Sequence, residues 1–220
     1  MTIEKKLFST LAIGAALAVL LAVIRICVTG SLTYIFLVWN LFLAAIPLLI
    51  STQMKKREYW QNNKLTFVML FSIWLLFFPN APYILTDLFH LRERMGMPMW
   101  FDLTLILSFA WVGLMSGFIS LMQMRNMLQK LIGNYATIVA TIFILFLCAF
   151  GIYLGRYERY NSWDIITNPI ALFRDIIVYI VHPIRHLKVY GVTLVFSSFL
   201  ILSYMTIELL SQYNFSKNNK

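Results

Sequence analysis

Two short stretches of this 220-residue chain concentrate the side chains that could do chemistry. The first is Phe78-Pro79-Asn80-Ala81-Pro82-Tyr83-Ile84-Leu85-Thr86-Asp87-Leu88-Phe89-His90-Leu91-Arg92. Asp87 and His90 stand three residues apart, so on a helix they converge on one ligand. A carboxylate beside an imidazole suits proton transfer, or a share in a metal site. Two ligands do not make such a site, and no residue is assigned to a metal. Asp102 and Asp164 are the carboxylates that would have to complete one. The competing reading pairs Asp87 with a nearby arginine and leaves His90 hydrogen-bonded at an interface.

The second stretch is Gly151-Ile152-Tyr153-Leu154-Gly155-Arg156-Tyr157-Glu158-Arg159-Tyr160-Asn161-Ser162-Trp163-Asp164. Arg156 could grip a phosphate or another lipid-linked anion bidentately. It could equally pair with Asp87, Asp102 or Asp164 and clamp the two stretches. Tyr153, Tyr157, Tyr160 and Trp163 are amphipathic aromatics of the kind that settle among lipid headgroups. His182 and His186 have the four-residue spacing of zinc helices, but Pro183 disfavours a helical His182. There is no phosphate loop, dinucleotide glycine pattern, zinc-protease motif or nucleophile elbow. These residues identify no particular cofactor.

The elements that must position these residues follow from composition. Hydrophobic residues make up 60% of the chain and charged residues 12%. A soluble domain carries about twice that charge and cannot hide so much apolar surface. The net charge of +9 therefore reads as membrane topology, with no nucleic-acid partner needed. Six stretches have the length and apolarity to cross a bilayer, at about residues 7–28, 33–52, 65–78, 103–124, 134–153 and 189–210. The third is the shortest. The expected fold is all-α: one polytopic helical membrane domain over residues 1–220, with about six transmembrane helices.

Lysines dominate one set of connecting segments, including Lys5, Lys6, Lys55, Lys56, Lys64, Lys130, Lys217 and Lys220. Arginines mixed with acids dominate the other set, which also holds all three histidines. That asymmetry places both termini in the cytoplasm of a cell membrane. The chemistry-bearing stretches then lie on the outer face.

Pro79 and Pro82 are expected to stop the third span. Asn80 would cap a new amphipathic helix on which Tyr83, Asp87, His90 and Arg94 form one polar stripe. Residues 170–181 are too apolar for a free surface helix and too few to span, so they form a second interfacial or re-entrant element. Gly113, Ser116, Gly117 and Ser120 line one face of the fourth span, and Gly14, Ala18 and Ala22 one face of the first. Such stripes admit close helix packing, within the chain or with a partner. Asn40 reads as helix glue, Glu208 as a shallow group that snorkels, and Cys27 and Cys148 as unbridged thiols.

The first stretch, together with Gly151–Arg156, Asn161–Asp164 and Asn168-Pro169, resembles the signature of a bacterial membrane family, domain of unknown function 1361. Trp100-Phe101-Asp102, Ser108–Trp111 and Asn40-Leu41 match its pattern less distinctively. The resemblance implies a polytopic fold in a bacterial inner membrane and no particular activity.

These readings converge on a polar pocket at the outer headgroup level. Asp87 and His90 are its acid–base candidates, with Asn80, Tyr83, Asp102, Arg156, Asn161, Trp163 and Asp164 binding substrate. Its ligand would be a lipid, a lipid-linked molecule or another envelope component. The alternatives are a small transporter or channel, which needs a polar path at mid-membrane depth, and a non-catalytic membrane subunit docking through the Gly113–Ser120 stripe.

Overall fold

The computed structural model describes residues 3–218, with side chains described for residues 4–213. Lys220 lies outside these residues, and so does the Lys217 side chain. The described residues are overwhelmingly helical. In order they form α1 (Ile3–Thr29), α2 (Phe36–Lys56), α3 (Glu58–Asn62), α4 (Lys64–Phe77), α5 (Asn80–Tyr83), a 3-10 segment (Ile84–His90), α6 (Met99–Ile132), α7 (Asn134–Tyr157), α8 (Asp164–Thr167), α9 (Pro169–Val181), a second 3-10 turn (Pro183–His186) and α10 (Leu187–Asn218).

Six candidate spans are long and apolar enough to cross a membrane: Glu4–Thr29, Phe36–Lys56, Lys64–His90, Met99–Ile132, Asn134–Tyr157 and Pro183–Tyr213. Large aliphatic side chains such as Ile13, Leu17, Leu20, Val68 and Val195 are exposed along them, a surface that suits lipid and not water. The chain divides into two compact units, Met1–Gln123 and Met124–Lys220.

In the first unit, α1 and α2 are antiparallel, and Lys55 Nζ lies 3.3 Å from Glu4 Oε2 at one end. This is the lysine end; the opposite end carries residues 25–36 and 87–102. The small face of α1 packs on α6, where a Cβ at Gly14 would stand 2.9 Å from Val112 Cγ2. Ala18 and Ala22 continue that face into a core with Tyr34, Leu37, Ala44, Ala81, Ile84, Leu105, Ile106 and Phe109. The Gly113/Gly117 stripe is used within the chain. A Cβ on Gly113 would meet the Ala81 carbonyl oxygen at 2.8 Å, and one on Gly117 the Ala81 Cβ at 2.8 Å.

The α-helix of the third span ends at Phe77, as the prolines lead one to expect, and the chain then runs on through two short helical pieces to His90 within one candidate span. Pro79 and Pro82 cannot donate backbone hydrogen bonds, so the ladder lapses. The Ala81 amide bonds Phe78 O at 3.1 Å instead of Phe77 O. Asn80 Nδ2 then donates to that orphaned Phe77 carbonyl at 2.9 Å. Asn80 thus closes the helix before the break and does not cap the one after it.

The second unit is built on α7 packed against α10. Thr137, Thr141, Ile144, Leu145, Cys148 and Ile152 are buried on α7, and Val189, Thr193, Ser197, Leu200 and Tyr204 on α10, each at helical spacing. Glu208 does not simply snorkel: it forms an ion pair with Arg125. Helix α9 has 13 residues, about 20 Å of helix and too short to span. Its exposed face is Ile170, Phe173, Ile177 and Ile180, while Leu172 and Tyr179 are buried. An apolar face turned outward fits hydrocarbon or interface.

Candidate functional site

The residue-90 end of the first unit gathers its polar groups along α2. The 3-10 segment runs antiparallel to that helix. Asn40 Nδ2 donates to Asp87 Oδ2 at 2.8 Å, and one helical turn further along α2 the Phe36 ring meets the His90 imidazole edge-on at 5.4 Å. A 3-10 helix repeats every three residues, so Asp87 and His90 lie on the same face. They differ sharply in environment. Asp87 is 1% exposed, whereas His90 is exposed to the surroundings of the bundle. Thr86 Oγ1 donates to Tyr83 O at 2.7 Å and helps fix the tight turn that aims Asp87 at α2.

The polar stripe expected through Arg94 does not form. The helix ends at His90, Leu91 is extended, and Arg94 belongs to a turn closed by an isolated bridge to Met97. The physical reason is the 3-10 winding: three residues per turn and poor hydrogen-bond geometry limit such runs to short pieces. Arg94 reaches the cluster by another route, with its guanidinium 5.6 Å from the Tyr34 ring centroid.

Beside this lies an ion pair that the charge count of the sequence did not reveal. Arg25 Nε donates to Asp102 Oδ1 at 2.7 Å and Nη2 to Oδ2 at 3.2 Å. The two residues are 2% and 1% exposed. Arg25 also lies over the Tyr34 ring, 4.6 Å from its centroid, and its third nitrogen, Nη1, has no hydrogen-bond acceptor. A guanidinium face on an aromatic ring gives that edge of the charge an electrostatic partner. Tyr34 OH in turn donates to His90 O at 3.4 Å. Asp102 therefore acts with Arg25 on α1, both its oxygens bonded within the unit. The sequence signal for Arg25 was present: it stands three residues after Ala22, on the packed face of α1.

A second polar group sits 11 residues further along α2, about 16 Å away. Trp74 Nε1 donates to Ser120 Oγ at 2.7 Å, Ser120 and Ser51 hydroxyls are 3.0 Å apart, and Ser51 and Thr52 donate to Gln123 Oε1 at 2.7 and 3.2 Å. With the Ser51 proton on Gln123, Ser120 donates to Ser51, giving one directed chain. Ala44 and Leu48 are buried between the two groups, an apolar plug.

In the second unit, Asn161, Trp163 and Asp164 build a turn. Asp164 Oδ2 accepts from Asn161 N at 2.6 Å, and Oδ1 accepts from Thr167 Oγ1 at 2.9 Å. The Asn161 backbone hydrogen bond holds the Asp164 carboxyl below its ordinary range. Trp163 O accepts from Ile166 N and Thr167 N. Arg156 lies in the last turn of α7. Arg159 takes a left-handed φ of +62°, and Tyr160 N returns to Leu154 O at 3.1 Å. That bend brings Tyr160 OH within 2.8 Å of Asp175 Oδ2. The Asp175 hydrogen bond pushes the Tyr160 phenol up.

His182 and His186 share no α-helix: His182 is the non-helical residue after α9 and His186 ends the following 3-10 turn. His186 packs edge-on against Tyr179 at 5.0 Å. Cys27 is exposed and Cys148 buried, with no disulfide.

Six helices long and apolar enough to cross a bilayer make this a multi-pass α-helical membrane protein. Residues 39–204 match the model of the family described as protein of unknown function (DUF1361), and the chain belongs to that family. No curated protein and no solved structure matches it.

Proposed function

We propose that the residue-90 end of the first unit is a ligand site at headgroup level, serving a lipid, a lipid-linked molecule or another envelope component. The observation that carries the reading is Asp87, a carboxylate 1% exposed at the end of an apolar broken helix. Carboxylates are costly in such surroundings and are held there by a partner and a purpose. Asn40 supplies the partner. His90, one turn above and accessible, supplies the complementary acid or base, with Asp87 as the group that orients or receives the proton. Asn80 and Tyr83 set the break that presents them, and the Arg25–Asp102 pair stiffens the adjoining wall. Arg156, Asn161, Trp163 and Asp164, on the second unit, are proposed to contact headgroups as well. The reading includes orientation: the lysine end faces the cytoplasm. A cysteine introduced at Met95 on a Cys27→Ser background should react with an impermeant thiol reagent in intact cells. Labelling only after lysis would reverse the orientation.

The apolar plug at Ala44 and Leu48 favours a site over a transport path. The test compares wild type, Asp87→Asn and His90→Gln by native mass spectrometry of the protein extracted with its own lipids. Wild type should retain a lipid-class ligand that both variants lose at unchanged abundance. Equal retention would overturn the proposal, and so would a fall in abundance that accounts for the loss.

A further inference from the structure

The turn between the 3-10 segment and α6 reads Glu93-Arg94-Met95-Gly96-Met97-Pro98-Met99. Arg94 and Met97 pair across it, Gly96 supplies the φ of +92° that the third residue of such a turn requires, and Pro98 favours an extended Met97. Three thioethers thus fall at alternate positions within five residues. Met95 is 99% exposed and Met99 44%, while Met97 is half-buried. Together with Glu93, Arg94 and Pro98 they line one open concavity of about 400 Å³.

Methionine usually fills irregular gaps in cores, and a cluster of it on an open turn presents sulfur to the surroundings. Thioether is a soft, uncharged donor that selects Cu(I)-like ions over Mg²⁺, Ca²⁺ or Mn²⁺. Glu93 and Arg94 both line the concavity and offset one another in charge, and the Arg94 guanidinium stands 5.6 Å from the Tyr34 ring centroid, so selection rests on the sulfur donors and not on charge. Among the described residues, no three His, Cys, Asp or Glu side chains are placed to hold a metal, so harder cations find no comparable cluster.

We propose that Met95, Met97 and Met99 form a binding site for a soft monovalent cation, Cu(I) or Ag(I). Thioethers release no proton on binding, unlike thiols and imidazoles, so the affinity should not depend on pH between about 5 and 7.5.

The experiment titrates the purified full chain with Cu(I), kept reduced by ascorbate, against a chromophoric Cu(I) chelator, with Ag(I) in a parallel series. Wild type should take one equivalent. The triple variant Met95→Leu, Met97→Leu, Met99→Leu conserves volume and apolarity but removes every proposed donor, and should no longer compete with the chelator. Cys27→Ser controls for the exposed thiol and should leave affinity unchanged. The proposal is overturned if the triple variant binds like wild type, if Cys27→Ser abolishes binding, or if wild type fails to compete with the chelator. A steep fall in affinity toward acid pH, after correction for the chelator, would also assign the site to a thiol or imidazole.

Discussion

The buried Arg25–Asp102 pair allows the most quantitative test of how the first unit holds together. Both groups are at least 98% buried, and the contact uses two guanidinium nitrogens on two carboxylate oxygens. Removing one partner leaves an uncompensated charge in an apolar bundle, a loss of about 3–5 kcal/mol. At about 2–4 °C per kcal/mol for a chain of this size, Asp102→Ala or Arg25→Met should lower the melting temperature by about 6–20 °C. Replacing both by apolar residues of similar volume, Arg25→Met with Asp102→Leu, removes the desolvation penalty along with the attraction. The double variant forgoes only the contact with Tyr34, worth about 0.5–2 kcal/mol, and should melt within several degrees of wild type. The assay is thermal unfolding in one detergent, followed by intrinsic fluorescence and by loss of monodispersity. If each single change leaves the melting temperature within a degree or two of wild type, the pair is not buried as described. If the double variant is as unstable as the worse single one, the charges are not coupled.

Three further outcomes follow from the same geometry. Gly113→Ala places a methyl 2.8 Å from the Ala81 carbonyl oxygen, a backbone atom that cannot rotate away. It should destabilise by about 1–3 kcal/mol, measured by thermal unfolding, while Gly191→Ala, with nothing within 4 Å of its Cβ, should not. Ser120→Ala deprives the buried Trp74 Nε1 of its acceptor and should lose about 1–3 kcal/mol; Ser120→Thr, which keeps a hydroxyl, should recover part of it. Asp164 is held below its ordinary pKa chiefly by the Asn161 amide. Its contribution to the 161–167 turn is therefore complete above the unfolded value of about 3.9 and lost as pH falls through the lower folded value. Hydrogen exchange in that turn should accelerate only in strong acid, and Asp164→Asn should remove the dependence.

The spans were legible because an apolar run of about 20 residues has few other uses. The break after the third was legible too, since Pro79 and Pro82 end its α-helix at Phe77. What nothing in the sequence announces is that the Asn80 side chain takes the Phe77 carbonyl behind the break. The polar stripe was extrapolated at 3.6 residues per turn, so Arg94 was placed on a helix that tightens to three and ends four residues earlier. Arg25 lies within the 7–28 span, and its three-residue spacing from Ala22 puts it on the packed face of α1, but its pairing is not written in that local pattern. Its partner lies 77 positions away, and the Arg125–Glu208 partnership spans a similar distance. Such pairings are set by which helices adjoin, which no local pattern encodes.

The central claim is that Asp87 and His90 serve a ligand at the residue-90 end of the first unit. The most direct measurement places a photoactivatable amino acid at Phe89, which is exposed beside His90, and at Ile13, which is exposed on the lipid-facing side of α1. After irradiation in native membranes, the adducts at the two positions are compared by mass spectrometry. The claim predicts a discrete species at position 89 that is absent at position 13 and disappears when Asp87→Asn is added. The same distribution of bulk lipids at both positions, unchanged by Asp87→Asn, would contradict it.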